Sequence, residues 1–408
     1  MYSQSTTPDG RGPWARVLTA PQVPSLSIAS IVARLPFGMG GISLIIFVHA
    51  QTGSFGIAGV MTGCYTAGFA LAGPFVGRAV DRRGPRPVLG PSSIVCALAL
   101  VAIVVLGESS VGTVPLGLAC LLAGAAVPPV SGVVRRTWPA LIPREDLTHA
   151  YLYDSVLIEI VFVCGPLLVG LLSAVVSPAA PLFVGAGFVL FGTVWFLLVP
   201  IVRAERPVPP EHHTRAGALA SPVIRFIIIT GIPVGASLGA IDVALPAFGA
   251  DHGSTSLGGV FAAAIPVGSM LGAFAFGAFG AKLGNLRQSF LWMAAIQPLV
   301  IVPLLLAPGS VVLVFLAVLA GTFVAPMVTL RSRIAELTMP PGTGTETFTW
   351  LLLTVMGGVS ASAAVAGPLV EAGGWRSGVL LAVAVPVAAY PAIFRRRTVL
   401  PTAQLRHG

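Results

Sequence analysis

Residues Gly77–Pro87 read GRAVDRRGPRP, four arginines and one aspartate in a single short stretch. About twenty mostly apolar residues flank it on either side. Elsewhere charge is scarce: 9% of the 408 residues are Asp, Glu, Lys or Arg, against 55% hydrophobic. A soluble protein carries roughly 25% charged residues. With a mean hydropathy of +0.93, most of this chain must face lipid or other apolar helices. The charged stretch therefore reads as a short loop between two membrane helices.

Working outward from that loop, a transmembrane helix needs about 20 apolar residues. Twelve runs qualify, at 25–49, 56–79, 88–107, 113–134, 149–174, 180–202, 222–249, 256–279, 288–307, 310–330, 344–370 and 376–394. The fold class predicted is an all-α membrane protein of twelve transmembrane helices. The first run continues past spanning length, so it is expected to remain as a helix rather than to be a cleaved leader.

Cations divide by side. One set of loops collects Arg11, Arg16, Arg78, Arg82, Arg83, Arg86, Arg135, Arg136, Arg144, Arg203, Arg206, Arg215, Arg225, Lys282, Arg287, Arg331 and Arg333, and the tail adds Arg395, Arg396, Arg397 and Arg406. The other side holds Arg376 alone. Positive charge stays inside, which predicts a multi-pass protein of the cell (plasma) membrane with both termini cytoplasmic. The formal net charge of +9 forms no stripe on a soluble face, so no nucleic-acid partner is expected. Arginine outnumbers lysine twenty-two to one, with abundant Ala, Gly, Val and Pro, the usage of a GC-rich bacterial genome.

The chain also repeats itself. Gly124–Pro143, GAAVPPVSGVVRRTWPALIP, aligns with Gly321–Pro340, GTFVAPMVTLRSRIAELTMP, at an offset of 197. Gly77–Gly84 aligns with Gly277–Gly284, GAFGAKLG, at an offset of 200; the second copy keeps a cation, Lys282, but has no aspartate. A nearly constant offset implies two six-helix pseudo-repeats in the same orientation, an arrangement that builds transporters. The expected organisation is a tail over 1–20, a bundle over 21–203, a solvated linker over 204–220, a bundle over 221–395 and a tail over 396–408.

Gly77, Asp81, Arg82, Gly84 and Arg86 resemble the loop signature of the major facilitator superfamily, roughly G-x-x-x-D-R-x-G-R-[KR] between helices two and three. Pro85 displaces its closing basic pair. The resemblance covers essentially the whole chain and implies that these five residues latch the outward-facing state. It also implies that Gly77 lets helices two and eleven approach. Asp81 can sit near a helix N-terminus, where its charge is favoured, and Arg82 and its neighbours can pair with carboxylates across the halves. Gly165-Pro166 with Gly170 is similar to the fifth-helix signature of antiporters. Val161 and Val169 stand where that signature has glycines, and a helix kink or close packing accounts for the motif equally well. The fourth helix lacks the buried arginine of many proton-coupled members, with Arg135 and Arg136 placed at its end.

Ionisable residues inside the membrane are costly and mark function by default. With the charges in the loops and at the ends of the runs set aside, four candidates remain: Arg34, Asp154, Glu159 and Asp242. Arg34 and Asp242 fall on the first and seventh helices, which line the cavity in the family. A carboxylate such as Asp242 can carry a proton, with a cationic substrate competing for it. Arg34 is expected either to serve substrate or proton coupling or to make a static pair with a carboxylate such as Glu159; Asp154, the fourth coupling candidate, is expected to pair with loop arginines, and Glu159 is the deeper relay candidate. Three acids and one base predict a mildly acidic, mostly apolar cavity, although a single arginine can equally select a carboxylate.

Enzyme patterns find no support. Gly235-Ala-Ser237-Leu-Gly239 has the G-x-S-x-G spacing but lies in an apolar helix rather than on a strand–helix turn. Lys282 follows Ala281, so there is no phosphate-binding G-K pair. Cys64, Cys96, Cys120 and Cys164 and the His212–His213 pair make no metal-ligand pattern; no metal and no cofactor are expected. The function expected is a monomeric secondary transporter of a small hydrophobic or amphipathic solute, acting as an antiporter for proton-coupled efflux. Uptake of a small organic acid, or a non-transporting polytopic sensor, are the alternatives.

Overall fold

The structure, a computed structural model, describes residues 12–53, 55–109, 112–205, 217–251, 258–279 and 285–401. His212–His213, Lys282 and most of the expected linker lie outside these. Among the described residues eleven helical segments are long and apolar enough to cross a membrane, and a twelfth contains the shorter apolar stretch Ala264–Phe279.

The first half begins with a short helix, α1 (Pro13–Thr19), and continues through α2 (Val23–Thr52), α3 (Phe55–Arg83) and α4 (Arg86–Glu108). Its fourth span is broken into α5 (Thr113–Ala125) and α6 (Val130–Leu141); the fifth is α7 (Leu147–Val175). The sixth joins α8 (Ala180–Gly187) to α9 (Thr193–Leu198) through a π-helical turn at Phe188–Gly192, and α10 (Pro200–Ala204) follows. The second half comprises α11 (Pro222–Ile229), α12 (Gly231–Asp251), α13 (Gly258–Phe279), α14 (Leu286–Ile301), α15 (Ser310–Gly321), α16 (Val324–Thr338), α17 (Gly344–Gly373) and α18 (Trp375–Arg395).

The repeat is visible in where helices break. Pro128 and Pro129 cannot donate backbone hydrogen bonds, and the chain turns there between α5 and α6. The equivalent interruption, Thr322–Phe323, separates α15 from α16. Both spans run beyond the predicted 113–134 and 310–330. Arg135, Arg136, Arg331 and Arg333 are therefore helical rather than loop residues. An apolar count stops at the first charge, whereas a helix continues if that charge finds a partner.

Small residues set how closely the helices pack. A Cβ on Gly235 would stand 1.9 Å from the Val355 carbonyl oxygen, and one on Gly239 2.1 Å from that of Val359. The G-x-S-x-G pattern is thus a packing face of α12 against α17. Ser237 points elsewhere and donates to the Ala382 carbonyl at 2.8 Å.

The apolar core divides unevenly. One cluster runs through both halves at the arginine-rich end, with Val17, Trp138, Tyr151, Phe290, Ile334 and Phe348 among its members. Away from that end each half has its own core, one around Phe47, Ile103 and Cys120, the other around Phe248, Leu304 and Trp375. The halves are sealed together at the basic end and packed separately at the neutral one.

Candidate functional site

The seal at the basic end is built on Asp81. Its buried carboxylate accepts from the Thr345 and Glu346 amides at 2.9 and 3.0 Å. These belong to the first turn of α17, whose unpaired N–H groups and dipole favour an anion. Arg136 donates to the same carboxylate at 2.9 Å and also pairs with Glu205. Gly77 brings α3 against α17: a Cβ there would lie 3.1 Å from the Glu346 Cα. Gly84, at φ +84°, ends α3 in a left-handed conformation that favours glycine.

The ion pair across the halves is Arg78 with Glu346, two hydrogen bonds at 2.8 and 3.0 Å. Arg82, Arg83 and Arg86 are exposed, so the cross-half pairing falls on Arg78 rather than Arg82. Gly217, within the last residues of the expected 204–220 linker, lies against Arg78 and Glu346; this end of the segment is buried, not solvated.

The repeat-related position is filled differently. His149 bonds the Gly277 carbonyl at 2.9 Å through Nε2. Trp14 of α1 stacks on Phe274 (5.0 Å) and meets His149 edge-on (5.5 Å), while Arg16 pairs with Asp146 at 2.7 Å. Where the second half lacks the aspartate, the N-terminal helix spans the joint.

One layer deeper, Asp154 is fully buried between two arginines. Arg34 donates to Oδ1 at 2.8 Å and Arg135 to Oδ2 at 2.8 Å. Arg135 also donates to Ser332 Oγ at 3.0 Å, its own repeat-related residue 197 positions away. A pair of equivalent positions in contact lies on the pseudo-two-fold axis. The fourth span therefore does hold a buried arginine, Arg135, contrary to the sequence expectation, and Arg34 pairs with Asp154 rather than Glu159. Arg331 is buried too, donating to the Ile227 and Leu351 carbonyls and to Thr354 Oγ1. With Arg135 and Arg331 inside, the interior holds as many bases as acids, and the expected acidic bias disappears.

Glu159 lies five residues beyond Asp154 on α7, about 7 Å deeper. It accepts from Ser269 Oγ of α13 at 2.7 Å, across the halves. Asp242 is exposed on α12 and within electrostatic range of Glu159, which turns it toward the space between the halves. Gly165 is a packing residue: a Cβ would stand 2.7 Å from the Gly38 carbonyl carbon of α2. Helix α7 runs on through Pro166, and nothing lies within 4 Å of a Cβ on Gly170.

A cavity opens inside the first half, between α2, α3, α4, α8 and the α5–α6 break, and reaches α17 at Thr349 and Leu352. Arg34 is on its wall. A smaller one occupies the related place in the second half, beside Ser237 and Gln297. The four cysteines are free thiols, and among the described residues no three His, Cys, Asp or Glu side chains gather as a metal site.

These features define a class: a multi-pass helical transporter of two related six-helix halves, joined at one end. The chain belongs to the Major Facilitator Superfamily, whose sequence profile matches residues 26–290; it is a transporter rather than an enzyme. Solved structures agree on the fold. A bacterial homologue of the iron transporter ferroportin, outward-facing with soaked iron, superposes with TM-score 0.71 at 18% identity, covering 92% of this chain and 98% of that one. The E. coli fucose:proton symporter gives 0.63 at 13%, covering 92% and 98%. A human organic anion transporter gives 0.59 at 14%, covering 94% and 100%. No curated protein matches the chain.

Proposed function

We propose that this protein is a proton-coupled secondary transporter that exports a small amphipathic solute across the plasma membrane by alternating access, working as a monomer. The basic end and both termini are cytoplasmic in this reading, as the arginine distribution favours. The protein then stands closed to the cytoplasm, with Gly77, Asp81, Gly84 and Arg78 forming the latch. The neighbours named for iron, fucose and organic anions share only the fold, so the substrate must be argued from this chain's own residues.

The observation that carries proton coupling is the carboxylate pair across the halves. Glu159 is held by Ser269, makes no ion pair among the described residues, and lies within electrostatic range of Asp242 on the other half. A carboxylate in that position can take and release a proton. Its bond to Ser269 ties the protonation state to the contact between halves. In proteoliposomes with an imposed proton gradient, solutes from a panel of amphipathic amines and organic acids should trigger proton flux. Glu159→Gln should abolish that flux while leaving solute binding. Undiminished solute-driven proton flux in Glu159→Gln removes the carboxylate from coupling.

A further inference from the structure

We propose that the cavity in the first half is an anion site, and that it takes an amphipathic monocarboxylate with an aromatic body. The inference deepens the transport reading and rests on it for the site's role as a substrate site.

Arg34 is the central residue. It is only 4% exposed, yet its guanidinium spends one nitrogen, Nη1, on Asp154. Its Nε and Nη2 are buried and meet no acceptor. A buried charged donor left without a partner is destabilising, so two on one side chain at a cavity wall call for a ligand acceptor. Charge points the same way. Asp154 is shared with Arg135, so two cations face one carboxylate, and one positive charge is left over at the inner end of the cavity.

The backbone adds a second, independent feature. Helix α6, twelve residues long, starts at Val130 after Pro128 and Pro129 and has no side-chain cap. Val130, Ser131 and Gly132 of its first turn line the same cavity as Arg34. The Val130 and Gly132 N–H groups bond to the Pro128 and Pro129 carbonyls at 2.8 and 3.1 Å, so what this turn adds to the cavity is the positive end of the helix dipole. Where a span is broken within the membrane, such an end is suited to an anionic group. A carboxylate placed between Arg34 and the start of α6 would accept from the guanidinium's unpaired nitrogens, lie at the positive end of the dipole and neutralise the excess charge.

The rest of the wall fits an apolar body. Phe37 and Phe69 stand there with ring centroids 5.4 Å apart, Tyr65 and Leu100 continue the surface, and Ser43 closes the part away from Arg34. A guanidinium at one end and aromatic walls along the rest select an aryl acid over a sugar or a cation.

The test is calorimetric binding to the full chain in lipid nanodiscs, with phenylacetate, 2-phenylethanol, phenethylamine and octanoate as probes. Phenylacetate should bind at least about tenfold tighter than the alcohol, the value of one charged hydrogen bond, and the amine should not bind. Arg34→Lys keeps the charge beside Asp154 but loses the planar fork, and should weaken phenylacetate about tenfold. Ser43→Leu lies nine residues along α2 from Arg34, about 13 Å away, and fills the cavity without touching the ion pairs; it should remove binding even if Arg34→Lys fails to fold. Equal affinity for acid, alcohol and amine overturns the anion site, as does phenylacetate binding that survives Ser43→Leu. Octanoate binding as tightly as phenylacetate overturns the aromatic preference. Because binding is measured without transport, the two readings fail separately. Proton flux driven by amines, with no carboxylate bound, sinks this site alone; carboxylate binding without proton flux sinks the coupling alone.

Discussion

Asp81→Asn tests what holds the basic end shut. The native carboxylate accepts three hydrogen bonds, two from the first turn of α17 and one from Arg136, all between 2.9 and 3.0 Å. An asparagine keeps one carbonyl acceptor and presents an amide group to the remaining donors. The loss across the halves is one charge-assisted bond, worth about 1.5–3 kcal/mol, and the interaction of an anion with the α17 N-terminus, up to about 2 kcal/mol. Arg136 retains Glu205 and is not orphaned. The prediction is a penalty of about 3 kcal/mol on the closed state relative to one in which α3 and α17 have parted. At 1.4 kcal/mol per tenfold, that shifts the equilibrium on the order of a hundredfold. Spin labels at Arg83 and Pro341, both exposed on opposite halves of the closed end, would read it by double electron–electron resonance. A longer-distance population should grow in Asp81→Asn. An unchanged distance distribution in the folded variant would refute the role of Asp81 in closure.

Two further substitutions probe packing. Gly235→Ala drives a Cβ to 1.9 Å from the Val355 carbonyl, a backbone atom that cannot swing away, so α12 and α17 must separate. Such overpacking costs about 1–3 kcal/mol, and the thermal midpoint of the purified protein should fall; an unchanged midpoint would show that the helices are not held this close. Trp14→Ala removes the stack on Phe274 and the edge contact with His149, worth about 0.5–1.5 kcal/mol each. The same spin-label pair should show about a tenfold shift toward opening, smaller than for Asp81→Asn, and no shift at all would mean that α1 is only a covering.

The helical architecture was legible in the sequence because apolar run length is a property of local composition. The repeat was legible because Gly124, Pro129 and Pro143 recur as Gly321, Pro326 and Pro340 at one offset; the span breaks near this block in both copies, at Pro128–Pro129 in the first and at Thr322–Phe323 in the second. Buried arginines were not legible. Arg135 and Arg331 follow apolar runs and look like loop residues until the partner segments, Asp154 for one and the Ile227 and Leu351 carbonyls for the other, are brought alongside. Long-range pairing also decided Arg34, whose acceptor is Asp154 rather than the deeper Glu159. A signal for Arg135 was nevertheless present. It aligns with Ser332 at the same offset of 197 that defines the repeat, and equivalent positions near a pseudo-two-fold axis can meet.

How the charges are distributed between the halves bears on whether this molecule can move. Removing one partner from a buried ion pair costs about 3–5 kcal/mol, so a transporter that tore several such pairs at each cycle would stay in one state. Here the fully buried pairs, Arg34 and Arg135 with Asp154, are internal to the first half, as are the shallower ones of Arg136 with Asp81 and Glu205 and of Arg16 with Asp146. All can travel as one body. Across the halves the bonds are of a cheaper kind. Ser269 donates to Glu159 and Arg135 to Ser332, the α17 amides donate to Asp81, and His149 meets a carbonyl. The cross-half ion pair, Arg78 with Glu346, sits at the basic end with Arg78 30% exposed, where water can replace the partner as the halves separate. The costly electrostatics thus make one half rigid, and the bonds that must break at each turnover are those that solvent or a bound solute can replace.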